Sequence, residues 1–262
     1  MLHSFRKTFV LIFVCASLFA PNVIATLAAQ EKTPTAEQVA ETVVFVYGRR
    51  ELLAQVRRNG IERGRITRAT EDGRTEEVTY ERRFVRGENN LKDKIRLDQK
   101  MPSMEYSLVY NDGRIWGIIN GSVYTPRQEA SDEFLRRTRH DIDALLRYKE
   151  NNSTLTFVGK EKQKNIEMWI LDVTDRDKQR TRYYVSSKTG RILRLEYELP
   201  AASGGQNNKY RKTFHDYNYV QSTLVPYRAV LYLNDKQVEE TRLSTAVYGI
   251  KMDDSLFQSE GS

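Results

Sequence analysis

Thr181-Arg182-Tyr183-Tyr184-Val185-Ser186-Ser187-Lys188-Thr189-Gly190-Arg191-Ile192-Leu193-Arg194-Leu195-Glu196-Tyr197-Glu198-Leu199 opens the stretch whose reading decides the fold, and the pattern runs on to Phe257. Over 191–199, Leu193, Leu195, Tyr197 and Leu199 fall on one face and Arg194, Glu196 and Glu198 on the other, the period of two that one-sided burial imposes on a strand. Residues 225–233 repeat the device, with Val225, Tyr227, Ala229, Leu231 and Leu233 sharing a face. Lys188-Thr189-Gly190 precedes one strand and Asn234-Asp235 follows the other, and both supply residues that tolerate the left-handed backbone of a tight turn. Consecutive hairpins of this kind build an antiparallel sheet.

Upstream the same alternation marks 61–70 and 76–86, joined through Glu71-Asp72-Gly73, then 94–98, 105–110 and 114–120, with Asn111-Asp112-Gly113 as a hairpin turn, and finally 155–160 and 166–173. The sum is about eleven strands. Two segments switch to a helical period. In 35–58, Val39, Val43, Val46, Tyr47, Leu53 and Ala54 form one stripe, and Thr35 with Gln38 fits a capping box behind Pro34. In 126–149, opened by Thr125-Pro126-Arg127-Gln128, the stripe is Phe134, Thr138, Ile142, Leu145 and Leu146, with Arg136, Arg137, Arg139 and His140 on the other face.

A sheet of this size curls, and its apolar face needs a cover. The expected fold is therefore α+β: a curled antiparallel sheet, or unclosed β-barrel, covered by two amphipathic helices. Helices lying over the hollow of such a sheet enclose a lined cavity. The candidates to line it are Val43, Tyr47, Trp116, Phe134, Ile142, Leu146, Trp169, Leu195, Tyr197 and Leu231, each of which also reads as ordinary core.

The N-terminus points to export. Arg6 and Lys7 precede an apolar run over 9–20, shorter than the ~20 residues of a spanning helix, and the small residues of 25–29 offer cleavage positions. Residues 1–29 read as a cleaved signal peptide and 30–262 as one domain. The single cysteine, Cys15, lies in that leader behind Ile12-Phe13-Val14, which does not fit a lipid-attachment site, so the mature chain carries neither disulfide nor thiol. The formal charge of +7 loses the two cations Arg6 and Lys7 and stays moderately basic. Short arginine runs are interleaved with Glu62, Glu76, Glu77, Glu81 and Glu133, a mixed solvated surface rather than a nucleic-acid face, and export argues against nucleic acid as well. Arg136, Arg137 and Arg139 are the candidates for approach to an anionic membrane surface.

Catalytic chemistry is sparsely represented. Outside the leader the histidines are His140, expected on a solvated helix face, and His215, alternating in a strand; neither sits in metal-ligand spacing. Asp172, Asp175 and Asp177 lack the glycine and distal glutamate of a calcium loop, and no Gly-x-Ser-x-Gly elbow or Walker loop occurs. The expectation is a binding protein with no metal and no cofactor, not an enzyme.

Residues 181–187 with Lys188-Thr189-Gly190, then Phe214-His215-Asp216-Tyr217, Pro226 and the closing Asp253-Asp254-Ser255-Leu256-Phe257 together resemble the LolA/LolB-like superfamily, in particular its outer membrane lipoprotein-sorting protein branch. The resemblance implies a helix-capped, unclosed β-barrel over 30–262 that carries acyl chains or lipoproteins across the bacterial periplasm. Its ligand would be a lipid or lipoprotein anchor; the alternative on the same fold is an envelope-stress sensor or protein-interaction module. Two departures separate this chain from the carriers: Arg82-Arg83-Phe84-Val85-Arg86-Gly87 lacks their proline, and the Pro-Gly segment that follows their terminal aromatic has no counterpart after Phe257.

Overall fold

The computed structural model describes residues 33–259 apart from 71–72, 102–103 and 202–205. The signal-peptide reading, Cys15 and two of the three residues of one expected turn, Glu71 and Asp72, lie outside the described residues. The compact unit begins at Pro34.

Among the described residues, thirteen strands form one sheet. In chain order they are β1 (Asn59–Ala69), β2 (Thr75–Val85), β3 (Lys94–Met101), β4 (Met104–Asn111), β5 (Arg114–Ile119), β6 (Ser122–Tyr124), β7 (Thr154–Gln163), β8 (Ile166–Thr174), β9 (Arg180–Ser186), β10 (Ile192–Leu199), β11 (Asn208–Val220), β12 (Thr223–Leu233) and β13 (Lys236–Tyr248). Four α-helices accompany them among the described residues: α1 (Ala36–Tyr47), α2 (Arg50–Val56), α3 (Gln128–Arg139) and α4 (Ile142–Leu146). The spatial order is β6-β5-β4-β3-β2-β1-β13-β12-β11-β10-β9-β8-β7, so β1–β6 and β7–β13 are two meanders joined along β1 and β13, with β6 and β7 as free edges. Every pairing is antiparallel. The expected curled, unclosed sheet with a helical cover is the observed architecture. β6 raises the strand count because three residues are too few to display a period.

Each expected helix is two. The first breaks at Gly48, whose φ is 139°, and Arg49, which holds φ 63° and ψ 153° before α2 restarts. The break turns the stripe, so Leu53 is buried while Ala54 faces solvent. The second begins later than expected, with Arg127 rather than Thr125 at its N-cap, and stops at His140; Asp141 then caps α4 by accepting from the Ile142 backbone N–H at 2.7 Å. The Thr35–Gln38 capping box is present as expected.

Two packed clusters fill the concave face. One gathers Val39, Val43, Tyr47, Ile142, Leu145, Leu146, Leu171, Tyr183, Leu195 and their neighbours beneath α1 and α4. The other joins Phe84, Ile95, Leu108, Tyr110, Phe134, Val225 and Tyr248 across the other meander. α1 is pinned by its last residue: the Tyr47 hydroxyl lies 2.9 Å from that of Tyr217 and accepts from the Ile192 N–H at 3.3 Å. The 3-10 turn Asp254–Phe257 packs on β3 and β4, held by Arg96 and Asn111, which donate to the carbonyls of Leu256 and Phe257.

Candidate ligand-binding site

The inner face is set by alternation along each strand, and α4 lies over it. Between them is a hollow of about 140 Å³. Phe214, Val225, Pro226, Tyr227, Ala229 and Leu243 make its apolar wall, from β11, β12 and β13. Arg57, Glu62, Tyr80 and Arg82, with Asp141 and Asp143 of the α4 segment and Lys212 of β11, make the polar wall. In a flat sheet β2 and β11, four spacings apart, would be about 19 Å distant; lining one hollow together, they show how far the sheet has curled.

Ion pairs cross from the α3–α4 segment to the sheet. Asp143 meets Arg86 at 2.6 Å and Arg57 at 3.5 Å, and Lys212 meets Asp141 at 3.4 Å. Burial works to raise the Asp143 pKa, but Arg57, Arg86 and Arg82 prevail and hold it well below the usual carboxylate range. Just after α4, Arg147 places both contacts of Nη1 on buried Asp93, at 2.7 and 3.0 Å, and donates through Nη2 to the Gly87 carbonyl. Arg82 donates to Glu62 at 3.0 Å, and Glu62 also accepts from the Tyr248 hydroxyl.

The arginines expected to face a membrane turn toward the sheet instead. Arg137 grips Glu239 of β13 through two bonds of 2.6 Å and also pairs with Glu133; Arg136 donates to the Tyr210 hydroxyl at 2.9 Å; Arg139 pairs with Asp175 at 3.0 Å and with Asp177. Burial acts to raise the Glu239 pKa, yet Arg137 and Arg68 hold it at about 2. The three arginines are half-buried, and their partners are Glu239 on β13, Tyr210 on β11, Glu133 on α3 itself and the Asp175 and Asp177 carboxylates of the β8–β9 turn. His140 is likewise not solvated. It is buried at 3 % exposure, stacked on Tyr197 with ring centroids 3.9 Å apart, and its Nδ1 shares a 2.7 Å hydrogen bond with the Thr181 hydroxyl. Burial, then Arg139 and Arg136, lower its pKa to about 3.

Among the cavity candidates, Val43, Tyr47, Ile142, Leu146, Leu195, Tyr197 and Leu231 are packed in the first cluster with Trp169 against it, and Phe134 is in the second. Of them Ile142 lines the hollow. Trp116 belongs to neither cluster: its neighbour Ile115 faces the concave side, so Trp116 lies on the opposite face, paired in register with Val109. Sequence reasoning missed Phe214, Val225, Pro226, Tyr227 and Ala229 as a wall and every charged residue of the hollow. The alternation of Val225, Tyr227 and Ala229 carried the signal for the apolar part; the charges looked like surface.

Two open grooves lie elsewhere: one of about 710 Å³ lined by charged residues of β1–β4, including Arg63, Arg83 and Asp98, and one of about 770 Å³ at the α1–α2 break, where Phe45 and Tyr219 are exposed. Among the described residues, no group of three or more histidine, cysteine or acidic side chains is placed to hold a metal, and no helix is long and apolar enough to cross a membrane.

No protein-family model matches the sequence, and no curated protein is significantly similar to it. Solved structures are similar in fold. A LolA superfamily protein from Nitrosomonas europaea superposes with a TM-score of 0.61 at 13% identity, over 87% of this chain and 99% of that one. A DUF1329 family protein from Desulfovibrio piger gives 0.61 at 12% identity, over 86% and 98%. A domain assigned to outer membrane lipoprotein sorting, from Vibrio parahaemolyticus, gives 0.56 at 11% identity, over 85% and 95%. An unclosed antiparallel sheet with a helical cover over its concave face, matched along nearly the whole length of these structures, is the fold of the LolA superfamily, and this chain has it.

Proposed function

We propose that the protein is an exported, non-catalytic carrier or binding protein for an apolar ligand: an acyl chain, a lipid or a lipoprotein anchor. The observation that carries this reading is the hollow between α4 and the concave sheet, walled on one side by Phe214, Val225, Tyr227, Ala229 and Leu243. At about 140 Å³ it is smaller than the ~300–1,000 Å³ of a typical ligand pocket, so a chain of any length needs the α3–α4 segment to give way. That segment is held both by Phe134, Ile142, Leu145 and Leu146, packed in the two clusters, and by ion pairs to the rest of the chain, so admitting a long chain displaces contacts of both kinds. Each methylene moved from water into the hollow contributes roughly 0.8 kcal/mol.

Periplasmic residence is part of the proposal, and the leader reading of 1–29 supports it, as does the fold likeness to the Vibrio lipoprotein-sorting domain. The test is lipid extraction and mass spectrometry of protein purified from its native envelope, with fluorescent fatty-acid titration of the delipidated protein. Bound acyl species and saturable binding are expected, and Ala229→Trp, which fills the hollow, should weaken binding at least tenfold with the far-UV circular dichroism unchanged. Absence of both acyl species and binding would overturn the reading.

A further inference from the structure

The groove at the α1–α2 break holds the two most exposed large apolar side chains among the described residues, Tyr219 at 66% and Phe45 at 61%. Leu52 and Val46 line it beside them. Three turns of the chain meet to build it. The break supplies Gly48 and Arg49, the β9–β10 turn supplies Thr189 and Arg191, and the β11–β12 turn, Gln221-Ser222 with both φ positive, follows Tyr219. These turns press on one another: a Cβ on Gly48 would lie 3.2 Å from Thr223 Cγ2, and one on Gly190 would lie 2.7 Å from Val46 Cγ2. The two rings are thus displayed from closely packed backbone.

The charges around the rings are mostly cationic, and the chain leaves them uncommitted. Arg49 and Arg191 line the groove, and Lys188 is exposed in the same turn as Thr189. Among the described residues none of the three enters an ion pair, whereas each arginine of the last turn of α3 has a polar partner on the chain. Glu51 is the one acidic side chain of the groove, so the cations lead by two. Arg49 also holds φ 63° and ψ 153°, a conformation that residues other than glycine seldom adopt and that tends to mark functional positions. The one polar or ring interaction of its side chain among the described residues is with the exposed Phe45 ring, 5.0 Å from guanidinium carbon to centroid. What the arginine gives this strained position therefore lies largely outside the chain.

We infer that this face docks on an anionic lipid bilayer, with Phe45 and Tyr219 entering the headgroup region and Arg49, Lys188 and Arg191 meeting lipid phosphates. Exposed apolar patches mark interaction surfaces, and aromatic rings flanked by cations suit a bilayer in particular: the rings settle at headgroup level and each cation gains from the negative surface potential. A second copy fits less well, because a two-fold pairing of this face with itself brings the same cations together. The inference goes beyond the carrier reading and needs nothing in the hollow. It places the membrane contact at the α1–α2 break, away from the arginines of α3.

Cosedimentation of the purified protein with vesicles of phosphatidylcholine, alone or with about 30% phosphatidylglycerol, tests it. Wild-type protein should bind the anionic vesicles at least tenfold more tightly than the neutral ones and lose that preference in about 0.5 M salt, where the Debye length falls to roughly 4 Å. Phe45→Ser combined with Tyr219→Ser should weaken binding at least tenfold. Arg49→Gly should weaken it about fivefold with no loss in the midpoint of thermal unfolding, which a merely structural role for the side chain does not predict. Glu51→Gln should strengthen it, and with Arg49→Gly it serves if the double variant does not fold. Lys236→Gln, exposed at the other end of β12, is the control and should change binding by less than twofold. No preference for anionic vesicles, or losses in the ring and Arg49 variants no larger than that of Lys236→Gln, overturns the membrane contact. Self-association of the wild type that the double variant abolishes, without vesicle binding, overturns it too and assigns the groove to a second copy. Each of these outcomes leaves the carrier reading standing, since acyl binding is measured separately.

Discussion

His140 shows at the scale of one residue how a helical pattern misleads. Counted along an unbroken helix it shares the polar side of Arg136, Arg137 and Arg139. The helix ends before it, with His140 at φ −104° and ψ 66°, and that turn sends the ring inward onto Tyr197. The local signal for the stop was Asp141 ahead of Ile142, a good N-cap before a new apolar run. A pH dependence follows. The folded value of about 3 lies below the ordinary 6.5, so between those values the unfolded chain binds a proton that the folded chain refuses. Stability is complete above about pH 6.5 and falls by about 1.4 kcal/mol per unit as the pH drops through that window. Glu239, held at about 2 against an ordinary 4.5, adds its own loss only at lower pH. Urea unfolding at pH 7.5 and 5.0 should show wild-type protein losing about 2 kcal/mol, with His140→Phe, which keeps the stacking surface, losing less than half of that. An equal loss in the variant would remove His140 as the cause.

At the scale of elements, the strands were the most legible part. The face shared by Val225, Tyr227, Ala229, Leu231 and Leu233 is the inner face of β12, and the turn at Asn234-Asp235 has φ of 49° and 64°, as those residue types allow. Strand β10 obeyed the alternation only in part. A register shift between Ile192 and Arg194 puts Ile192 in the core and leaves Leu193 half-buried, against the expectation for Leu193; a bulge adds a residue without changing the composition that reveals a strand. Helix continuity was the weakest reading, since an apolar stripe runs straight across Gly48-Arg49. Arg49 holds a backbone conformation that non-glycine residues seldom adopt, at a typical cost of about 1–3 kcal/mol. Its guanidinium over the exposed Phe45 ring returns only part of that. Arg49→Gly is therefore expected to stabilise the protein by about 1 kcal/mol, read as a rise in midpoint in thermal unfolding; an unchanged or lower midpoint would show that the break is not strained.

For the whole molecule, alternation and hairpin spacing were enough to predict a curled sheet under a helical cover, because each strand pair but one is local. The exception, β1 with β13, joins the two meanders, and nothing in either strand advertises its partner. The hollow was hidden for the same reason: Glu62 and Arg82 sit on alternating strands that read as half-solvated, and only the curl and α4 bring them to one hollow. The β1–β13 junction depends on close approach at Gly64, where an added Cβ would lie 2.1 Å from the Arg242 carbonyl oxygen. Gly64→Ala should cost at least about 2–3 kcal/mol, measured by urea unfolding; a loss below about 0.5 kcal/mol would mean that the junction adjusts freely.

The order of strands at this junction also sets the order in which the chain can be completed. Each meander pairs only neighbouring hairpins, but β1 waits for β13, the last of the described strands in chain order, and the Tyr248 hydroxyl must find Glu62 across 186 positions of sequence. Until then β1 presents an open ladder beside the uncovered Phe84 and Ile95, the exposure that favours mispairing between chains. A chain lacking the residues from 236 onward would leave two separate meanders with unpaired inner edges, so the continuous sheet forms only once β13 has been added.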